Sequence, residues 1–367
     1  MGFNCGIVGL PNVGKSTLFN ALTASAAAEA SNYPFCTIEP NLGKVEVADP
    51  RLDRIAAIVK PARVIPTTLG FVDIAGLVKG SSQGEGLGNR FLSHIREVEA
   101  VIHVLRCFED DNVSHVAGAI DPLSDAATVA TEMMLADLES LEKRRQPLIK
   151  KIRGDDQEAK AELALVERIL EALGEGRPAG SVAVAEDQKR TFQGLHLLTA
   201  KPVLYVCNVD EDSAAAHGNA WSAAVGRHAG QEGAASVVVS AKIEEEIAAL
   251  AEAAERAEFL DSLGLGETGL ARVVGGAYAL LSLITFFTFN EKEARAWTLR
   301  EGSKAPRAAG AVHTDFEAGF IRAETIAYDD FIALGGDQAA REAGKMRAEG
   351  RDYLVQDGDI MLFRFKV

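Results

Sequence analysis

The chain has 367 residues, 47% apolar and 25% charged, which is enough to bury one or more cores and rules out a disordered chain. Its 53 acidic and 38 basic residues give a formal charge of −15, which excludes a uniformly basic nucleic-acid coat but still allows a local basic face. No apolar run reaches the roughly 20 residues of a membrane helix, and Met1-Gly2-Phe3-Asn4-Cys5 lacks a secretory pattern, so no membrane partner and a cytoplasmic location are expected.

The first strand-like run, Phe3–Val8, leads into Gly9-Leu10-Pro11-Asn12-Val13-Gly14-Lys15-Ser16-Thr17 and then into a helical stretch with Leu18, Phe19 and Leu22. This is the GxxxxGKS phosphate loop in its strand–loop–helix setting. Gly9 and Gly14 allow backbone N–H groups to turn toward anionic oxygens, and the helix start adds its positive end. Lys15 supplies a point charge for terminal phosphates, and the Ser16 hydroxyl is suited to Mg²⁺. Next comes the Pro-bracketed loop Tyr33–Pro40, whose Thr37 is placed to coordinate Mg²⁺ beside a γ-phosphate. The strand Leu69–Asp73 ends in DxxG, setting Asp73 near the Mg²⁺ water shell and the Gly76 N–H near the γ-phosphate. The glycine-rich run Gly76–Gly88 reads as a second switch segment.

Leu77 stands where many GTPases carry a water-orienting Gln, and its side chain can neither orient nor deprotonate water, so hydrolysis is either slow or assisted by another group or a partner. In the strand Val101–Cys107, His103 reads as a core residue. His115 follows the strand's C-terminal end, where ligands of α/β sheets gather, and is a candidate catalytic base; an ordinary loop residue is the alternative.

Residues 130–173 carry a helical pattern instead. Leu135, Leu138 and Leu141 recur at helical spacing, then Leu163, Val166, Leu170 and Leu173, with Gly154-Asp155-Asp156 between, as in a helical hairpin inserted in the α/β body. One face gathers Lys143, Arg144, Arg145, Lys150, Lys151 and Arg153, either a solvated helix end or a contact for RNA phosphate.

The strand Pro202–Val206 then runs into Asn208-Val209-Asp210-Glu211. Guanine-reading proteins carry Asn-Lys-x-Asp here, and the Asp accepts from both guanine donors. Val209 and the longer Glu211 spoil that pair, and each unpaired donor costs about 1–3 kcal/mol. Adenine is therefore expected, read by the Val209 backbone and the Asn208 amide, with Ser240-Ala241-Lys242 at the end of the strand Ala235–Ser240 closing over the base. From Leu283 onward, short β-rich runs at 284–289, 296–299, 321–326 and 360–365 mark a separate mixed-β domain.

The cysteines Cys5, Cys36, Cys107 and Cys207 have no CxxC spacing, which argues against disulfides and zinc and for a reducing compartment. Cys36 stands apart in a polar, Pro-flanked loop.

These residues resemble the Obg-like ATPases of the YchF group, within the translation-factor-related class of P-loop proteins. The likeness rests on GFNCGIVGLPNVGKSTLFNALT at Gly2–Thr23, YPFCTIEPN at Tyr33–Asn41, FVDIAGLVKG and GEGLGNRFL within Phe71–Leu92, and NVDE at Asn208–Glu211. It continues through Ala296–Thr325 and Lys345–Phe365 and spans nearly the whole chain. The resemblance implies an α/β fold in three parts: a P-loop G-domain of the OBG type with a mostly parallel sheet at 1–127 and 201–282, a helical coiled-coil insertion at 128–200, and a C-terminal β-grasp domain of the TGS type at 283–367. It also implies phosphate binding by Asn12, Val13, Gly14, Lys15, Ser16 and Thr17, Mg²⁺ at Ser16 and Thr37 with Asp73 through water, and adenine contact by the Val209 backbone. Asn12 is similar to the residue of P-loops that use K⁺ as an activating ion.

The expected function is a Mg²⁺-dependent ATPase, ATP preferred over GTP, acting as a switch that binds the ribosome (large subunit or whole) and its RNA and modulates translation; no DNA partner is expected. A GTP-dependent ribosome-assembly factor and a non-hydrolysing ribosome- or RNA-binding adaptor are the alternatives.

Overall fold

The computed structural model describes residues 3–30, 42–74, 87–110, 120–152, 154, 156–250 and 252–366. In chain order it begins with β1 (Asn4–Val8), α1 (Lys15–Ala30), β2 (Leu42–Val47), α2 (Pro50–Val59), β3 (Arg63–Ile65), β4 (Thr67–Asp73), α3 (Leu87–Glu97) and β5 (Ala100–Arg106). The helices α4 (Pro122–Ile152), α5 (Gln157–Gly174) and α6 (Lys189–Gln193) follow. Strand–helix alternation resumes with β6 (Val203–Asn208), α7 (Glu211–Ala215), α8 (Ala220–Glu232), β7 (Ala235–Val239), α9 (Ala241–Ala249), α10 (Ala253–Ser262) and α11 (Gly269–Leu280). The chain closes with β8 (Leu283–Phe289), β9 (Glu293–Arg300), α12 (Ala305–Val312), α13 (Thr314–Ala318), β10 (Phe320–Ile326), α14 (Tyr328–Leu334), α15 (Asp337–Glu342), β11 (Arg347–Glu349) and β12 (Ile360–Phe365). No described helix is long and apolar enough to cross a membrane.

Two compact units emerge, one within Phe3–Gly43 and Phe71–Ala277, the other within Lys44–Gly70 and Tyr278–Val367. In the first, β1 pairs parallel with β5, β5 with β6 and β6 with β7. All seven residues of β5 are buried, as a strand covered on both faces requires. The parallel register brings Val8, Arg106, Asn208 and Val239 to one edge of the sheet, the edge where α/β folds gather ligands.

The inserted hairpin is formed by α4 and α5. Asp156 caps α5, its carboxylate accepting from the Ala159 N–H at 3.0 Å, which explains the break at residues 154–156. Leu141, Leu148, Leu165, Val166, Ile169 and Leu173 are buried in the seam. Leu163 and Leu170 pack at its margin, so the buried stripe is rotated from the one read in the sequence. Leu135, expected in the seam, is 39% exposed. A fully buried carboxylate ties the insertion together: Asp137 accepts from the N–H groups of Leu198 and Thr199, both at 2.9 Å, and from Thr199 Oγ1 at 2.8 Å.

The basic face of the hairpin is less bare than its sequence suggests. Lys143 pairs with Glu139 at 2.5 Å, Arg144 with Glu162 at 2.6 Å, and Arg145 with Glu142 at 3.6 Å and Glu167 at 3.8 Å. Helical spacing and the facing helix supply these acids, which a reading of the basic run alone passes over. Lys150 and Lys151 are exposed at the helix end, and Arg153 lies outside the described residues.

In the second unit the strand order is β11-β10-β12-β8-β9-β3. The β8–β9 hairpin is antiparallel, α12 packs on the sheet, and β12 returns parallel to β8 in the centre, which is the β-grasp arrangement. Leu52 and Ile55 of α2 join the core formed by Phe287, Ile326, Phe331 and Ile360 on the other face. The sheet also takes in β3, whose Arg63, Val64 and Ile65 pair parallel with Glu293, Ala294 and Arg295. Residues 44–70, which the sequence boundaries place with the P-loop module, thus complete the C-terminal unit.

Candidate nucleotide site

The phosphate loop joins β1 to α1. Two glycines in it are demanded by close approach. A Cβ on Gly9 would sit 2.5 Å from the Val104 carbonyl oxygen of β5, and one on Gly14 would sit 2.2 Å from Asn208 Nδ2. Gly14 also has φ of 94° and Asn12 φ of 63°, left-handed values that glycine and asparagine tolerate best. Lys15 is 8% exposed, and its Nζ donates to the Leu10 carbonyl at 2.9 Å, so the ammonium is held at the centre of the loop's curve. Burial lowers the Lys15 pKa, and the charge of Asp73 partly offsets that. Ser16 is exposed, Val13 is buried, and Thr17 lines the adjoining cleft.

At the end of β4, Asp73 shows the converse. Burial raises its pKa against the pull of Lys15, and Oδ1 is buried with no hydrogen-bond partner among the described residues. His103, opposite Val8 in β5, is buried as expected, and burial pushes its pKa down to about 3. Its Nε2 has no partner among the described residues, so it is a neutral core imidazole. Thr37, Gly76, Leu77 and His115, together with Cys36 and residues 75–86, lie outside the described residues.

The loop continues into a cleft of about 480 Å³ that brings Asn12, Gly14 and Thr17 together with Asn208, Val209 and Glu211 and with Ser240 and Ala241. Asn208 is its keystone. Its Nδ2 donates to the Val13 carbonyl at 2.9 Å, and its Oδ1 accepts from the Ala241 N–H at 2.9 Å. The amide expected to read a base also locks the phosphate loop to the start of α9, using one of its two N–H donors and one lone pair of its oxygen. The Ala241 N–H is thereby used, and the Ser240 hydroxyl caps α9 by accepting from the Ile243 N–H at 3.5 Å. The Val209 N–H donates to the Val239 carbonyl at 2.8 Å, so this donor is already spent within the sheet, while Val209 is among the residues that line the cleft. Asp210 caps α7 through the Ser213 N–H at 2.7 Å. Glu211 forms an ion pair with Lys242, which holds its carboxyl below the usual range.

Sequence reasoning missed the third wall, Phe108, Glu109 and Asp110, just beyond β5. Arg106, 2% exposed, braces it: Nε donates to the Phe108 carbonyl at 3.1 Å, Nη2 to the Asp110 carbonyl at 3.2 Å, and the guanidinium lies 4.8 Å from the Phe108 ring centroid. An arginine closing a strand that is apolar apart from His103, at the ligand edge, was the available signal.

Strand–loop–helix geometry, parallel sheet and edge cleft define a P-loop NTPase of the GTPase-like class. Residues 4–149 match a family model described as a 50S ribosome-binding GTPase, and residues 283–366 match that of the YchF GTPase C-terminal region, described as a protein of unknown function. The ribosome-binding ATPase YchF of Haemophilus influenzae is 56% identical over 367 residues, 100% of both chains. That of Bacillus subtilis is 52% identical over 368 residues, again 100% of both. The solved YchF GTPase of Schizosaccharomyces pombe matches with a TM-score of 0.89 at 36% identity, over 99% of this chain and 98% of that one. The chain belongs to the YchF family.

Proposed function

We propose that this protein is a Mg²⁺-dependent cytoplasmic ATPase that binds the ribosome, as its named relatives do, and uses nucleotide state to modulate translation. The observation that carries the choice of base is the Val209 backbone. With its N–H committed to Val239, the carbonyl remains as an acceptor. That suits the adenine N6–H₂ donor and opposes the guanine O6, since two acceptors repel across an unmade hydrogen bond. Phe108 offers the base an aromatic face. Asn12 through Thr17 would hold the phosphates, and Asn12 would serve an activating K⁺.

The metal fits the same place. The exposed Ser16 hydroxyl, a hard oxygen donor, would ligate the ion together with Thr37, and Asp73, whose Oδ1 has no partner among the described residues, would reach it through water. When bound, Mg²⁺ would neutralise charge developing on the β- and γ-phosphates. Gly76 would donate to the γ-phosphate and His115 would take the proton of the attacking water, since Leu77 cannot.

Competition calorimetry tests the reading: ATP is expected to bind more tightly than GTP, with phosphate release measurable with or without ribosomes. Tighter GTP binding would overturn the assignment of the base site, and no phosphate release under either condition would make the protein an adaptor.

For the ribosomal RNA contact, Lys150 and Lys151, exposed and with no ion-pair partner among the described residues, are the better candidates on the hairpin. Changing both to alanine is expected to weaken cosedimentation with ribosomes and reduce the slope of log affinity against log salt by about two. The Lys143→Ala/Arg144→Ala pair should matter less, because its charges are already matched by Glu139 and Glu162. Equal effects of the two pairs would remove this distinction.

A further inference from the structure

Lys242 stands on the rim of the cleft, paired with Glu211 of the base-reading turn. Glu211 opens α7 beyond β6, and Lys242 is the second residue of α9 beyond the neighbouring β7. Both line the cleft with Asn208 and Val209. Lys242 Nζ donates to Glu211 Oε1, and the two side chains stay 66% and 41% exposed, so the pair closes a solvent-facing rim. Asp110 and Glu246 also attract the ammonium, yet Glu211 is the partner that receives its hydrogen bond. The neighbouring carboxylate is no substitute: Asp210 is occupied by the Ser213 N–H at 2.7 Å and by Ser213 Oγ at 3.0 Å. Glu211 is therefore the one carboxylate of the Asn208–Glu211 turn able to meet a base edge, and a lysine from another helix holds it.

Guanine presents adjacent N1–H and N2–H₂ donors, and although the longer Glu211 does not make the bidentate pair of an Asp, a freed Glu211 could still reach this donor edge by backbone adjustment. Adenine presents one amino donor beside an acceptor and gains less from a carboxylate. We propose that Lys242 is a positioning residue for base selection: by holding Glu211 in an ion pair it withholds that carboxylate from the donor edge of guanine. ATP is then favoured partly because guanine is denied a contact, in addition to what the Val209 carbonyl offers adenine. The inference rests on the reading of this cleft as the purine site.

The test is calorimetric titration of the full-length protein with Mg·ATP and Mg·GTP. In Lys242→Met the affinity for GTP is expected to rise about two- to five-fold relative to ATP, the range set by an exposed ion pair. Lys242→Arg, which keeps a cation opposite Glu211, should hold the wild-type ratio. Adding Glu211→Gln to Lys242→Met should cancel the gain, because the amide has lost the charge that guanine would use. An unchanged ratio in Lys242→Met, or a gain that survives Glu211→Gln, would overturn the proposal. Tighter GTP binding by the wild-type protein would instead sink the underlying assignment of the base site, so the two failures are separable.

Discussion

Lys15→Ala is expected to weaken ATP binding about a hundredfold while leaving the fold in place. The ammonium is nearly buried and anchored on the Leu10 carbonyl, so its charge is already desolvated and aimed at the loop's centre. Charge-assisted hydrogen bonds contribute about 1.5–3 kcal/mol each, and every 1.4 kcal/mol is a tenfold change in affinity. The loss should leave circular dichroism unchanged. The Leu10 carbonyl can turn to water, and Asp73 loses only a partly offsetting charge. Retained ATP affinity would show that the phosphates are held elsewhere.

The second large effect is expected at Asn208, and it should be structural as well as functional. Asn208→Ala leaves the buried Val13 carbonyl and the Ala241 N–H without their partner. Orphaning buried polar groups costs about 1–3 kcal/mol each, so the first unit should melt several degrees lower. ATP affinity should fall at least tenfold, because the phosphate loop is no longer pinned to α9. Asn208→Asp separates the two bonds: its carboxylate can still accept from Ala241 but cannot donate to Val13. An intermediate loss in melting temperature and in ATP affinity is therefore expected. A melting temperature and affinity equal to wild type in both variants would refute the clamp.

The glycine–lysine loop was legible in sequence because its residues are contiguous and each acts through its own backbone or a short reach. The inserted hairpin was legible for a similar reason, since helical periodicity and the break at residues 154–156 are local. Periodicity says that a stripe exists but not which rotation of it meets the neighbouring helix, and so Leu135 was assigned to a seam that Leu165 and Ile169 in fact fill. The basic run erred in the same direction. Its acids stand a helical turn away or on the facing helix, distances that a linear reading does not weigh.

What lay beyond the sequence were pairings over long separations. The three residues of β3 carry too few side chains to announce a strand, and their place beside β9 depends on an open sheet edge some 230 residues away. Asn208 reads as a base contact by motif, and only the fold shows that it is also a clamp, with hydrogen bonds to segments 195 and 33 residues distant.

The sequence by itself determined the class of protein, with its glycine–lysine loop between strand and helix, and the presence of an inserted hairpin, because those follow from local pattern. The tertiary structure alone decided which polar groups remain available at the base end. Hydrogen-bonding capacity is finite, and only the folded arrangement shows that Val209 N–H, the Asn208 amide and the Glu211 carboxylate are already engaged.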